Sequence, residues 1–216
     1  MILQALELIL NPLIWMMGIV LALYFSVIGS VGVSILLLSF TFTLLVIPLR
    51  KRGQEIETRI SNRIAAVNTE VAELKKEMKG EKLFLATEKV YRQHGYHPIQ
   101  SIGQGASFFV MLPILISAIF LLSDNTLLEG KRFLFIDDLS APDRLLISVN
   151  VLPILMTGIT IIDAGLRYRD NAGARYKFYG IAVVLLILVY DLPSGLVLYW
   201  TGANALSFIL ARIRSH

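Results

Sequence analysis

Small polar side chains recur at helical spacing inside stretches that are otherwise apolar. Ser39 and Thr43 stand four apart, and Gln104 and Ser107 three apart. Thr157, Thr160 and Asp163 follow the same step, as do Thr201, Asn204 and Ser207. Residues three or four apart share one face of a helix. Hydroxyl and amide groups exchange hydrogen bonds with water or with unpaired polypeptide backbone. Two roles suit them. A single such face is helix–helix glue or bonds back to its own helix carbonyls, at ~0.6 kcal/mol per contact. Four of them together can line one wet cavity inside a helix bundle. Other chemistry has no support. The chain lacks Cys, and His94, His97 and His216 stand at no metal-ligand spacing, so neither a metal nor a thiolate site is expected. There is no Ser-His-Asp set and no Gly-rich phosphate loop, and no carboxylate sits where a proton relay would need one. An enzyme is therefore not expected, nor a nucleotide-driven pump, nor a cofactor.

The elements that carry these faces follow from hydropathy. Of 216 residues, 56% are hydrophobic, and the mean hydropathy is +0.68. A soluble domain has no need of so much apolar residue, which points to an integral membrane protein. Residues 33–49 carry no charge and end in Arg50, Lys51 and Arg52. That length suits a bilayer core, which takes ~17–25 residues. Residues 29–49 are thus span one. Spans two to five are expected at about 105–122, 145–166, 178–190 and 196–213, with Pro113 inside span two and Pro153 inside span three. Residues 99–216 then hold four spans, short loops and a basic tail. Residues 1–28 are apolar, with Asn11-Pro12 read as a local breaker. They are either a sixth span or a helix lying in the interface. No cleavable signal peptide is expected, because the start lacks a positive n-region.

Residues 50–98 differ in kind. They hold eleven Lys/Arg and seven Glu, while Ile56, Ile60, Ile64, Val67, Val71 and Leu74 recur at helical spacing. Gly80 interrupts the pattern, and Gly95 and Pro98 end it. The segment is expected to be an antiparallel helical hairpin in water with its tip near Lys79-Gly80. Its charges are chiefly a solvated face. Arg59, Arg63, Lys75, Lys76 and Lys79 are the candidates for contact with anionic lipid or ribosomal RNA, and no aromatic interleaving favours RNA. The fold class is thus an all-α integral membrane protein: a five-span helical bundle with an N-terminal interfacial helix and a cytosolic antiparallel helical hairpin. Segments between spans divide the cations unevenly. Seventeen of the twenty Lys/Arg lie in the hairpin, the 167–177 loop and the tail, and three lie in the 123–147 loop. Cytoplasmic segments carry such an excess. The hairpin and the C-terminus are therefore expected in the cytoplasm, with the 123–147 loop outside.

Five stretches together resemble the YidC/Oxa/Alb family of membrane protein insertases. They are GSVGVSILLLSFTFTLLVIPLRKR, VYRQHGYHPIQSIGQG followed by LPILISAIF, FLFIDDLSAPD, VLPILM, and LPSGLVLYWTGANALSFIL. They fall in the family's order and cover most of the chain from Gly29 onward. The resemblance implies an outer interfacial helix before span one. It also implies a groove open to the cytoplasm and to lipid but closed outside, in a bacterial inner membrane. The sequence departs from the family twice. Family members usually carry an Arg five residues before the Pro that is Pro48 here, and this position is Thr43. A Gln often found two residues before the span-two Pro is Met111. The implied groove lacks its usual positive charge, which weakens any expectation that acidic-tailed substrates are drawn in by charge.

The physics does not require that Arg. Pulling unpaired backbone through hydrocarbon costs several kcal/mol. A half-way cavity of water and hydroxyls lowers the barrier, after which an apolar substrate helix moves sideways into lipid. The expected partners are nascent membrane proteins and the bilayer, with the ribosome and a secretion channel as further candidates. Met111, Tyr199 and Trp200 are candidates to pack against the passing helix, although Tyr199 and Trp200 equally suit an interfacial aromatic belt. Two other readings stay open. A small transporter or channel suits the polar faces, but no internal repeat is visible. A partner-specific assembly factor with the insertase fold suits Thr43.

Overall fold

The computed structural model describes residues 2–97, 106–123, 125–146, 149–169 and 172–213. Among these, the regular structure is helical: α1 Ile2–Ile28, α2 Val31–Glu77, α3 Glu81–Gln93, α4 Ala106–Ser123, α5 Val151–Arg167, α6 Ala172–Val189 and α7 Ser194–Ile213. The extended pairing present is two isolated β-bridges, Phe133 with Ile136 and Leu146 with Val149. The chain forms two compact units, Met1–Leu45 with Pro113–His216, and Val46–Leu112.

In the first unit, α1 buries Leu10, Met17 and Leu21 on one face and exposes Trp15, Leu23 and Val27 on the other. Pro12 does not break it. A proline removes one backbone donor, and the apolar helix formers on either side carry the helix through, as is common in membrane helices. The Tyr24 hydroxyl lies 2.7 Å from Thr41 Oγ1. Thr41 already donates its proton to the Leu37 carbonyl at 2.9 Å, so Tyr24 is the donor that ties α1 to α2. The break between these helices is at Gly29, with φ +71°, and Ser30. Gly32 lies within α2, where a Cβ would stand 2.1 Å from Phe133 Cγ. The core draws on α1, α2, α4, α5 and α7, with Ile35, Leu38, Phe42, Leu122, Met156 and Leu196 among its members, and is joined by Val189 at the end of α6 and by Leu128, Ile136 and Leu139 of the loop after α4.

Several boundaries differ from the sequence reading. Span one does not stop at Leu49, because α2 runs 47 residues through Pro48 into the charged segment. α5 starts at Val151, not near Leu145, so Pro153 sits in its first turn. There the missing amide would have had no helical acceptor. α6 starts at Ala172 and takes in Arg175 and Lys177, which the charge pattern assigns to the 167–177 loop.

In the second unit, α3 packs back along α2. Val67 and Val71 of α2 meet Val90 of α3, with Leu74, Tyr91 and Tyr96 against them. Gly80, at φ +63°, makes the turn. His94 Nε2 lies 2.7 Å from Glu70 Oε1, and Arg63 donates to the Gly95 carbonyl at 3.5 Å. Sequence numbers thus rise along one helix as they fall along the other.

Leu8–Ile28, Val31–Glu77 and Ser194–Ile213 are each long and apolar enough to cross a bilayer, and Leu112–Ser123 is a shorter apolar helix. α6 exposes Ile181, Val184, Ile187 and Leu188. Large apolar faces of this kind need lipid as their solvent.

Candidate functional site

Three of the four polar faces meet within the first unit. α5 and α7 are neighbours, and Asn204 Nδ2 donates to Thr160 Oγ1 at 3.2 Å. Thr160 in turn donates to the Met156 carbonyl at 3.0 Å, which leaves its lone pairs for Asn204. One turn earlier on each helix the hydroxyls bond inward. Thr157 donates to the Pro153 carbonyl at 2.8 Å, and Thr201 to the Val197 carbonyl at 2.7 Å. Ser39 on α2 is wholly buried and donates to the Leu36 carbonyl at 2.8 Å. Gly202 is what admits it. A Cβ there would stand 2.5 Å from Ser39 Oγ and 3.0 Å from Leu36 Cδ2, so α2 and α7 pack backbone-close at this point. Thr43, one turn on from Ser39, is also buried.

Burial is graded along this seam. On α7, residues 194–199 and 201–203 are buried, Trp200 is half-buried, and 204–213 are half-buried or exposed. Asn204, Ser207 and Thr160 lie in the looser part. Asp163 is paired with Arg167, whose Nη2 donates at 2.7 Å, so it brings no lone charge to the seam. Tyr199 lies inside the core, and Trp200 packs against it. Gln104 lies outside the described residues, as do the side chains of Ser107 and Met111. In the second unit, Arg59, Arg63, Lys75, Lys76 and Lys79 are exposed.

The closed end of the seam depends on residues that sequence reasoning passed over. Asp143 is buried, and its carboxylate accepts the Val151 amide at 2.9 Å and the Leu152 amide. It thereby caps α5 from eight residues upstream. Asn150, also buried, receives the Arg144 amide on Oδ1 at 3.1 Å and donates Nδ2 to the Tyr190 carbonyl at 2.8 Å. The start of α7 is held by the same loop, since Ser194 and Gly195 donate to the Ala141 and Leu139 carbonyls, each at 2.8 Å. Leu128 and Leu139 of this loop are fully buried. Asp138 Oδ1 accepts the Ser140 hydroxyl at 2.7 Å, the Ser140 amide at 2.9 Å and the Gly130 amide at 3.1 Å. The Ser140 hydrogen bonds hold its carboxyl below the usual range. In the sequence these residues read only as an acidic loop. The usable sign was a run of Asp, Ser and Asn just before an apolar helix, the residue types that cap.

A bundle of lipid-facing helices with hydroxyls and amides between α2, α5 and α7, closed at one end by a folded loop, defines a helical integral membrane protein. The chain belongs to the 60Kd inner membrane protein family, whose pattern matches residues 22–215. This is the YidC/Oxa/Alb family that the motifs resemble. Among curated relatives, Membrane protein insertase YidC of Treponema denticola is 25% identical over 220 residues, covering 93% of this chain and 37% of the relative. That of Leptospira interrogans is 26% identical over 222 residues, covering 95% of this chain and 34% of the relative. The chain spans about a third of the length of these relatives.

Proposed function

We propose that the chain is a membrane protein insertase and chaperone that works without nucleotide hydrolysis. The family membership carries this reading. The seam supplies the physical means. Thr160, Asn204 and Ser207 offer hydroxyls and an amide to the polar backbone of a nascent membrane protein, and Gln104 and Ser107 are further candidates from their spacing in the sequence alone. Ser39, Thr43, Thr157 and Thr201 form the deeper floor. The packed loop end keeps the passage closed on one side, which is supported by the burial gradient along α7. A substrate helix leaving sideways meets Trp200 before Tyr199, because Tyr199 is core and Trp200 is half-buried; Met111 is a packing candidate on its family position alone. Moving a polar segment only half-way across hydrocarbon and releasing its apolar part to lipid needs no fuel beyond burial.

In this reading five helices cross, α1 lies at the outer surface, and the 50–98 hairpin is cytoplasmic. Its exposed cations contact lipid, the ribosome or a secretion channel. Thr43 at the family's Arg position favours one alternative, a factor dedicated to a particular partner. Complementation of an insertase-depleted bacterial strain separates the two. Growth and insertion of several unrelated substrates support a general insertase, and failure with a folded protein points to the dedicated factor. Orientation is tested by single-Cys labelling of a chain that has no Cys of its own. Cys at Ser140 should react with an impermeant reagent from outside and Cys at Ser215 should not. The reverse pattern overturns the topology.

A further inference from the structure

The loop that closes the bundle end presents two side chains that its packing does not use. Phe133 and Ile136 exchange backbone hydrogen bonds of 2.9 Å in each direction. Leu134 and Phe135 are therefore the two-residue tip of a minimal hairpin. The residues flanking the tip point inward, Phe133 against Gly32 and Ile136 into the core at 5% exposure. The tip is the reverse, with Leu134 80% and Phe135 84% exposed. Leu134 also holds φ +53°. That left-handed conformation suits Gly, Asn or Asp and is uncommon for a bulky apolar residue. A turn facing only water would gain by having Gly there. Strain of this kind, kept for an exposed apolar side chain, calls for a role for that side chain.

Position supplies the role. Phe133 abuts the second residue of α2, the Leu139 carbonyl takes the amide of the second residue of α7, and Asp143 caps α5. The loop thus lies across the N-terminal ends of three bundle helices, at the level where the apolar bundle stops. The neighbouring Leu146–Val149 bridge places two more exposed apolar side chains in the same loop, at 64% and 39%. Lys131 and Arg132 beside the tip are exposed, with Arg132 donating to Asp137. Apolar side chains flanked by cations suit the boundary between headgroup phosphates and acyl chains. We propose that the Leu134-Phe135 tip is a lipid anchor. It dips into the headgroup–acyl boundary at the closed end of the bundle, with Lys131 at phosphate level, and so fixes the height of the loop that seals the seam.

The inference rests on the membrane reading, and the experiment keeps the two apart. Single-Cys variants Phe135→Cys, Glu129→Cys and Ile187→Cys are spin-labelled and reconstituted in phosphatidylcholine–phosphatidylglycerol vesicles, with a water-soluble nickel chelate on both sides. Collision with oxygen, which partitions into lipid, is compared with collision with the chelate. Ile187 on α6 reports lipid contact in general, and Glu129 reports water beside the same loop. The oxygen-to-nickel ratio at Phe135 should approach that at Ile187 and exceed that at Glu129 several-fold. A ratio at Phe135 equal to that at Glu129, with Ile187 still lipid-exposed, overturns the anchor alone. Protection from both probes at Phe135 also overturns it, since protein would then cover the tip. Nickel exposure at Ile187 would overturn the membrane reading itself. Leu134→Cys repeats the test at the strained position.

Discussion

Asp143 ties the loop at the closed end to the start of α5, and Asp143→Ala tests how much that tie holds. The carboxylate is 8% exposed and takes the amides of Val151 and Leu152, the first two of α5. Neither amide has an acceptor within its own helix. The helix N-terminus carries partial positive charge, so a carboxylate is favoured there by up to ~2 kcal/mol in a partly buried setting. Loss of a capping side chain costs ~0.5–2 kcal/mol, and each hydrogen bond to a charged acceptor ~1.5–3 kcal/mol. These figures describe overlapping effects and do not add. Asp143→Ala should therefore destabilise the bundle by ~2–4 kcal/mol. Asp143→Asn keeps one acceptor but turns an NH2 group toward the second amide, so about half the loss or more is expected. Equilibrium unfolding in micelles gives the total, and hydrogen exchange at Val151 and Leu152 gives its location. An Ala variant within about 0.5 kcal/mol of the parent, the range of an ordinary surface change, with those two amides still protected, would refute the reasoning.

Gly202→Ala should force α7 from α2 at a cost of ~1–3 kcal/mol of overpacking, offset by ~1 kcal/mol of helix propensity. Ser39→Ala in the same chain should recover most of it, because Ser39 Cβ lies at an ordinary 3.5 Å while Oγ is at 2.5 Å, and the remaining 3.0 Å contact is with the far end of the Leu36 side chain. Zero coupling in that double-mutant cycle, read by unfolding, would count against the close approach. Thr43→Val should lower insertion in reconstituted vesicles while leaving stability nearly unchanged, whereas lost stability with full insertion would make Thr43 helix glue. Asp138 has a lowered pKa, so its anion favours the folded loop. That contribution is fully present above the carboxyl's ordinary value of ~3.9 and fades as pH falls through the lower folded value. Exchange at the Gly130 and Ser140 amides, corrected for intrinsic rates, should stay slow from pH 7 to about 5 and speed up only in stronger acid. Loss of protection already at pH 6 would assign the loop's hold to another group.

The sequence showed helices wherever an apolar run was long, because such runs have only one way to satisfy their backbone in lipid. Gly80 marked its turn for an equally local reason. Proline was less legible. Pro12 looked like a place where a helix stops, yet α1 continues through it, and α2 likewise runs on through Pro48 and past the cations where span one was expected to end. One lost hydrogen bond is small against a bilayer's demand that all the others be kept. Arg175 and Lys177 looked like loop, yet they lie in the first turns of α6. Charge near a helix end says which residues meet water, not where the helix begins.

The seam was the harder matter, because spacing gives a face but not the neighbour it meets. Thr160 and Asn204 are 44 positions apart, and nothing local to either specifies their contact. The structure also separates side chains that looked alike in sequence. Ser39, Thr157 and Thr201 spend their protons on their own helices, so toward any other group each is an acceptor only. Asn204 contributes an amide with donors of its own. A backbone in transit offers both N–H and C=O and cannot be satisfied by acceptors alone. An insertase seam therefore needs donors at its open end, and Asn204 stands at the residue where burial along α7 gives way. In the function proposed above, that position assigns Asn204, rather than the more numerous hydroxyls, to meet a polar substrate first.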